Sequence, residues 1–314
     1  MLRDLAEIGV RPALVISQPG RPQGRGRKVG EPAAFTQATL LGLDCTQTDD
    51  INAPVVVDRL RDLGLSILVV AAFGQLLRRP LLDAVMCMNV HGSLLPSYRG
   101  AAPIETALTA GETMTGVSIM RVTEGLDEGP WAQQTCVQIG LRDDAGSLAR
   151  VLSFLGAAAL AQVLDAVADG TVVWNEQEGP PSYAPKLEAR DCMMDPTFAA
   201  RGVHDRVRAL SPWTGARAVC GDLAFKVWRT WPYGQPGLPA VPGSAKRVAG
   251  SPGDVVAADG RLFVGCAEGV VEVLAIQPAN RARMTASAFL RGYGDRLGGC
   301  VKPVEPVDGP ENWL

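Results

Sequence analysis

Histidine is nearly missing from this chain: its 314 residues contain two, His91 and His204, far apart. Seven cysteines, Cys45, Cys87, Cys136, Cys192, Cys220, Cys266 and Cys300, are scattered singly with no C-x-x-C pair. No zinc-type ligand spacing results, so no metal is expected. An odd, dispersed set of thiols also argues against a disulfide framework and for reduced cysteines in a reducing compartment. No uncharged apolar run approaches the roughly 20 residues that a bilayer span needs. Residues 1–8 read as a mixed-charge amphipathic helix without a signal-peptide core. A cytoplasmic protein with no membrane partner is therefore expected. No G-x-G-x-x-G follows a strand, which speaks against a nicotinamide-dependent dehydrogenase. A net charge of -3 argues against a protein that coats nucleic acid over its whole surface, but leaves local basic patches open.

What remains is a globular balance of 47% apolar and 20% charged residues in a chain long enough for about two domains. The first half alternates helix and strand signals, the pattern of a parallel sheet with helices on its faces. Residues 2–9 read as helix and 13–17 as strand. Residues 58–63 end a helix at Gly64, and 66–72 form a continuous apolar strand of the kind buried on both faces. Residues 85–90 supply the next strand, Pro103 opens a helix that Gly111 closes, and 116–122 is a further strand before a loop at 123–129. Residues 144–170 are a long helix. After Gly170 the composition shifts, and Glu178-Gly179-Pro180-Pro181-Ser182 looks like the middle of a linker. A second unit then begins near Phe198 with a helix through Arg208. Short strands follow, including a hairpin turned by Asp259-Gly260 and a strand at 270–276. A small open β-barrel and a sandwich both fit that pattern. His204 is assigned no chemistry.

The most informative segment is Asn89-Val90-His91-Gly92-Ser93-Leu94-Leu95-Pro96, where a strand breaks into a loop. Residues at i and i+2 of a strand point to one side, so Asn89 and His91 face one pocket together. In an open α/β sheet, loops at the carboxyl ends of strands line the ligand crevice. A histidine placed there can serve acid-base chemistry or satisfy a buried carbonyl.

The run from Asn89 to Ile104, together with Thr115-Gly116-Val117 and Gly125-Leu126-Asp127-Glu128-Gly129, resembles the 10-formyltetrahydrofolate-dependent formyltransferases, in particular those that formylate methionyl-tRNA. The resemblance extends over Gln18-Pro19-Gly20-Arg21-Pro22, Gly24-Arg25-Gly26-Arg27-Lys28, Tyr183-Ala184-Pro185-Lys186-Leu187, Ser211-Pro212-Trp213, Lys226-Val227-Trp228 and Ile276-Gln277-Pro278-Ala279. It implies a Rossmann-like, mostly parallel α/β sheet domain (1–175), a linker (176–197) and a small OB-like tRNA-binding β-barrel domain (198–314). The implied reaction moves a formyl group from the folate N10 to the amine of methionine on initiator tRNA, with the folate as co-substrate. Asn89, His91 and Asp127 are the implied catalytic residues: an oxyanion donor, a proton-transfer partner, and a carboxylate that sets the histidine tautomer. Ser93, Leu94, Leu95 and Pro96, with Gly74, Gln75 and Leu76, would border the folate. Arg21, Arg25, Arg27 and Lys28 would grip tRNA, although a charge run is usually only a solvated loop. Lys226, Arg229, Lys246, Arg247, Arg281 and Arg283 of the second domain could track phosphates if they share a face. A monomer is expected.

Two other readings share these residues. One is a folate-dependent N-formyltransferase for an amino sugar or nucleotide sugar. The other is a catalytically impaired tRNA-binding homologue, because a doubly wound sheet normally opens with a central strand and this chain starts inside its first helix. The sheet is thus expected to lack its first strand, with the true reading frame starting upstream.

Overall fold

In the computed structural model, residues 1–23 and 28–304 are described. They fall into two compact units. The first comprises Met1–Pro103, Met114–Gln138 and Ala149–Pro185; the second comprises Ile104–Thr113, Ile139–Leu148 and Lys186–Leu314.

The first unit opens with α1 (Leu2–Glu7) and β1 (Val15–Ser17), then a hairpin of β2 (Arg21–Gln23) and β3 (Lys28–Gly30). Next come α2 (Ala33–Leu40), β4 (Cys45–Gln47), α3 (Pro54–Asp62), β5 (Ile67–Val70), α4 (Arg79–Leu82), β6 (Met86–His91) and β7 (Arg99–Gly100). After α5 (Pro103–Thr109), which from Ile104 on belongs to the second unit, come β8 (Met114–Arg121), β9 (Trp131–Gln138), the long α6 (Ala145–Ala168), of the first unit from Ala149 on, and β10 (Tyr183–Ala184). The main sheet has the order β5-β6-β8-β9, parallel between β5 and β6 and antiparallel beyond. The parallel character of an α/β domain thus sits in β1 with β4, β5 with β6 and the short pair β7 with β10, while β9 was not evident in the sequence pattern.

Strand β5 departs from the expectation of burial on both faces. All four of its residues are only half-buried. Among the described residues β5 pairs with β6 alone and β1 with β4 alone, so each keeps one unpaired edge. An apolar cavity of about 310 Å3, lined by Leu5, Val15, Ile67, Val69 and Leu160 among others, lies beside them. A doubly wound sheet ordinarily carries a central strand at such a place.

Helix α6 is long and apolar enough to cross a membrane by length and composition, yet it carries Arg150 and Asp165. Its Ala157, Leu160 and Val163 pack on Met88 and Ile119 of the sheet, with Leu5 of α1 in the same cluster. This is the amphipathic face expected of a helix covering a sheet. Because Met88 and Val90 face that cluster, their neighbours Asn89 and His91 must face the other way.

The second unit contains α7 (Ala200–Ala209), then β11 (Ala216–Cys220), β12 (Leu223–Tyr233), β13 (Val255–Ala258), β14 (Arg261–Gly265), β15 (Val270–Pro278), β16 (Met284–Thr285), α8 (Ala286–Tyr293) and β17 (Val301–Lys302). Among the described residues its seven strands form one hydrogen-bonded antiparallel sheet, ordered β13-β14-β15-β12-β11-β17 with β16 added to β15, rather than two separate sheets. The β13–β14 turn uses Asp259 and Gly260, both at positive φ (53° and 72°), as a two-residue hairpin of this kind requires. Phe225, Val227, Ile276 and Phe289 form its core with Val207 of α7.

His204 is a structural residue of α7. Its Nε2–H donates to the Leu141 carbonyl at 2.9 Å, leaving Nδ1 to accept from the Thr230 hydroxyl at 3.0 Å. Burial lowers its pKa from 6.5 to about 4, with Arg208 adding to the effect. The folded state therefore binds this proton less readily than the unfolded chain. The stability contributed is complete above pH 6.5 and lost as pH falls toward 4, with about 2 kcal/mol gone by pH 5. Urea unfolding at pH 7.5 and pH 5 should show a larger loss for the parent than for His204→Gln; equal losses would refute this account.

All seven cysteines are unbridged. Burial pushes the Cys87 thiol up to about 11, so it remains a neutral thiol on β6.

Candidate active site

Strand β6 carries Asn89 and His91 to the end of the sheet. Asn89 is in register with Val70 and Met120, and His91 with Ser118. Their shared face meets Asp127, which arrives from the loop between β8 and β9. Asn89 Nδ2 donates to Asp127 Oδ1 at 3.3 Å, and His91 Nδ1 lies 3.5 Å from Asp127 Oδ2. The backbone N–H of Gly100 donates to the same Oδ2 at 2.8 Å. His91 is 4% exposed, and the Asp127 side chain 15%. The three catalytic candidates therefore come together around one carboxylate.

The histidine tautomer is set differently from the expectation. His91 Nε2 lies 2.9 Å from the carbonyl oxygen of Tyr98, which offers only lone pairs, so the proton of neutral His91 belongs on Nε2. Nδ1 is then the basic nitrogen, and it faces Asp127. The carboxylate is placed to stabilise an imidazolium rather than to fix the neutral tautomer.

Both Tyr98 (φ 60°) and Asp127 (φ 49°) adopt the left-handed region, which is sparsely populated outside glycine and clusters at functional sites. Neighbouring contacts hold them. Ser182 Oγ accepts from Tyr98 N–H at 2.9 Å, and Gln177 Nε2 donates to the carbonyls of Asp127 and Gly129 at 2.7 and 2.8 Å. The Arg99 guanidinium donates to Gln177 Oε1 at 2.7 Å, and β7 pairs with β10. Glu128 points away toward Arg99 and is half-exposed.

Gly129 closes the Asp127 loop against the sheet. A Cβ there would lie 1.9 Å from the backbone oxygen of Arg121, which cannot move without disturbing β8. Gly129→Ala should destabilise the protein by roughly 1–3 kcal/mol and shift Asp127 out of place. Urea unfolding and kcat measured together check this; parent-like values for both would contradict it.

Of the residues expected at the folate, Ser93 and Leu95 have buried side chains. Ser93 Oγ donates to Ser97 O at 2.5 Å and its carbonyl accepts from Ser118 Oγ, while Leu95 N–H donates to Ser118 Oγ. Any contact with a ligand from these two falls to the backbone. Leu94 packs against Gly116, where a Cβ would come within 2.4 Å of it. The 71–76 loop is largely exposed, with Ala72 and Gly74 at positive φ. Gln75 is committed to structure, accepting from Ile51 N–H and donating to Asp49 O. Ser118, Gln177 and the Tyr98 carbonyl are members of this framework that sequence reasoning missed.

The expected basic loop begins and ends as the β2–β3 hairpin. Arg21 donates to Gln18 Oε1, and Gln18 Nε2 donates to Phe73 O at 2.6 Å, tying the hairpin base to the 71–76 loop. Arg25 and Arg27 lie outside the described residues, as does the side chain of Lys28. In the second unit, Lys226 and Arg283 both lie over the Trp228 ring, at 5.9 and 3.6 Å from its centroid. Arg229 sits exposed at a bulge in β12, and Lys246, Arg247 and Arg281 are exposed elsewhere.

Comparison with known proteins shows the family of the chain. The formyl transferase family model matches residues 4–164, and the formyl transferase C-terminal domain model matches 186–294. A methionyl-tRNA formyltransferase of Geobacter metallireducens is 36% identical over 95% of this chain and 94% of its own length. One from Halorhodospira halophila is 38% identical over 96% and 93%. Among solved structures, HypX from Aquifex aeolicus in complex with tetrahydrofolic acid superposes with a TM-score of 0.62 at 16% identity, covering 94% of this chain and 50% of that one. The N-formyltransferase from Helicobacter canadensis, with folinic acid and dTDP-3-aminofucose, gives 0.59 at 13% identity over 85% and 99%; both establish likeness of fold. With near full-length similarity and both family domains present, the chain belongs to the formyl transferase family, alongside the methionyl-tRNA formyltransferases.

Proposed function

We propose that this protein transfers a formyl group from 10-formyltetrahydrofolate to the free α-amine of methionyl initiator tRNA, in the cytoplasm and as a monomer. The observation that carries the reading is the meeting of Asn89, His91 and Asp127 in a chain alike over nearly its whole length to enzymes named for that reaction. The donor set suits a formyl group. Asn89 is only half-buried and has a second amide hydrogen beyond the one given to Asp127, and the exposed 71–76 loop follows the strand paired with β6.

When bound, the folate supplies an activated formyl carbon whose bond to nitrogen breaks as the amide bond to the acceptor amine forms. Asn89 donates a neutral hydrogen bond to the formyl oxygen as charge develops there. His91 Nδ1 accepts the proton that the amine gives up, since Nε2–H is held by Tyr98. Asp127 stabilises the imidazolium so formed and keeps Asn89 oriented. The proton then passes from His91 to the folate N10 as its bond to the formyl carbon breaks, which balances the exchange.

The same reading assigns residues 1–175 to catalysis, 176–197 to a linker and 198–314 to an OB-like tRNA-binding domain. It leaves Ser93, Leu94, Leu95, Pro96, Gly74, Gln75 and Leu76 bordering the folate, chiefly through backbone groups. Arg21, Arg25, Arg27 and Lys28 hold the acceptor end of tRNA, so Arg25→Ala should raise KM for tRNA with little change in kcat. Offering methionyl initiator tRNA and nucleotide-linked amino sugars as competing acceptors tests the assignment. Preference for the sugar would overturn it.

A further inference from the structure

The second unit contains a cavity of about 430 Å3 that the reaction above does not use. Its size falls within the roughly 300–1,000 Å3 typical of small-ligand sites. Trp228, Trp231, Arg142, Arg208 and Arg229 line it, together with the carboxylates Asp144 and Glu272. Three guanidiniums and two indoles around one opening are an unusual concentration in a chain with six tryptophans in all.

Most of the other polar groups are already engaged. Glu272 accepts from Arg261 at 2.8 and 2.6 Å and from Tyr233 at 2.9 Å, and Asp144 Oδ1 accepts from Ser147 N–H at 2.7 Å. His204 spends both ring nitrogens on Leu141 and Thr230, and burial keeps it neutral. The guanidiniums are less fully used. Arg142 is exposed, resting 5.7 Å from the Trp231 centroid, and Arg229 is exposed at the β12 bulge. Arg208 is 4% exposed and bonded through Nε and Nη1, but its Nη2 is buried with no hydrogen-bond partner among the described residues. A buried donor left unpaired is costly, and an acceptor-rich ligand relieves that cost.

Trp228 is buried beneath Arg283 and forms a floor, whereas Trp231 is half-buried with the His204 ring T-shaped to it at 6.2 Å. An indole partly open to solvent beside exposed cations is the combination that stacks a base and holds its phosphate. We propose that this cavity holds one unpaired nucleotide of an RNA, its base on Trp231 and its phosphate on Arg142 and Arg229. The choice of RNA as the source of the nucleotide rests on the tRNA reading above; the stacking and phosphate contacts do not.

The test is binding of a fluorescein-labelled single-stranded RNA hexanucleotide to the full chain, followed by anisotropy. Saturable binding is expected, with Arg142→Ala and Trp231→Leu each weakening it about 10-fold or more. Arg142→Ala changes an exposed residue and should retain the parent's thermal midpoint, so its result stands even if Trp231→Leu folds poorly. Unlabelled hexanucleotide should displace the probe at far lower concentration than AMP does. Absence of saturable binding, unchanged affinity in Arg142→Ala, or displacement by AMP as effective as by RNA would overturn the proposal. No formyl donor is present, so the result is independent of whether the chain transfers formyl groups.

Discussion

Asn89→Ala is expected to lower kcat by about 10²- to 10³-fold while changing KM for tRNA little. The amide is a neutral donor fixed in advance by Asp127, so it costs no reorganisation when charge appears on the formyl oxygen. An interaction that strengthens only in the transition state affects kcat rather than KM. Asn89 sits between fixed neighbours in register with Val70 and Met120, so truncation should leave the sheet intact. Steady-state kinetics on methionyl-tRNA read the split. A variant whose kcat equals the parent's would remove Asn89 from the mechanism, and one that only raises KM would make it a binding residue.

Asp127→Ala should cost more, on the order of 10²- to 10⁴-fold in kcat, because one carboxylate serves three partners. Its loss removes the anchor of Asn89, the counter-charge opposite His91 Nδ1, and the acceptor of the Gly100 N–H. The proton taken from the amine would then rest on an unsupported imidazolium. Asp127→Asn separates these duties: it retains the shape and can still bond Asn89 or Gly100, but carries no charge. It should recover the parent's thermal midpoint without recovering the parent's rate. Recovery of rate in Asp127→Asn would show that the negative charge is not needed.

Local signals made much of the fold readable. Glycine stops at 64, 111 and 170 all adopt positive φ, and the Asp259-Gly260 hairpin forms as its turn chemistry requires. The placement of Asn89 and His91 on one face follows from strand alternation alone. The failures came where a neighbour decides the outcome. An apolar run such as Ile67–Val70 reads as buried on both faces, but its burial depends on strands to either side, and one edge here is unpaired. Residues 21–28 read as a loop because glycine, proline and arginine are poor strand formers, yet a tight antiparallel pairing recruits their flanks.

The candidate site divides in the same way. The pair on β6 was legible, but its contact with Asp127 spans 38 residues, and nothing in the local sequence says which carboxylate reaches it. The resemblance pointed to Asp127, but the partner of His91 Nε2 was not legible, because backbone carbonyls leave no trace in side-chain patterns. Tyr98 holds the His91 tautomer through such a carbonyl. Gln177 lay in a segment read only as a linker, where a lone amide carries no signal until its two acceptors are known. The cavity between Arg142 and Trp231 was hidden for the same reason, since its lining comes from parts of the second unit that are far apart in sequence.

The most direct measurement is a formyl-transfer assay on the purified chain with 10-formyltetrahydrofolate and methionyl initiator tRNA, detecting formylmethionine after the ester is hydrolysed. Formylmethionine should appear with the parent protein and fall to a small fraction of that rate with Asn89→Ala and with Asp127→Ala. No formylmethionine from a folded parent protein, or equal rates from all three, would contradict the account.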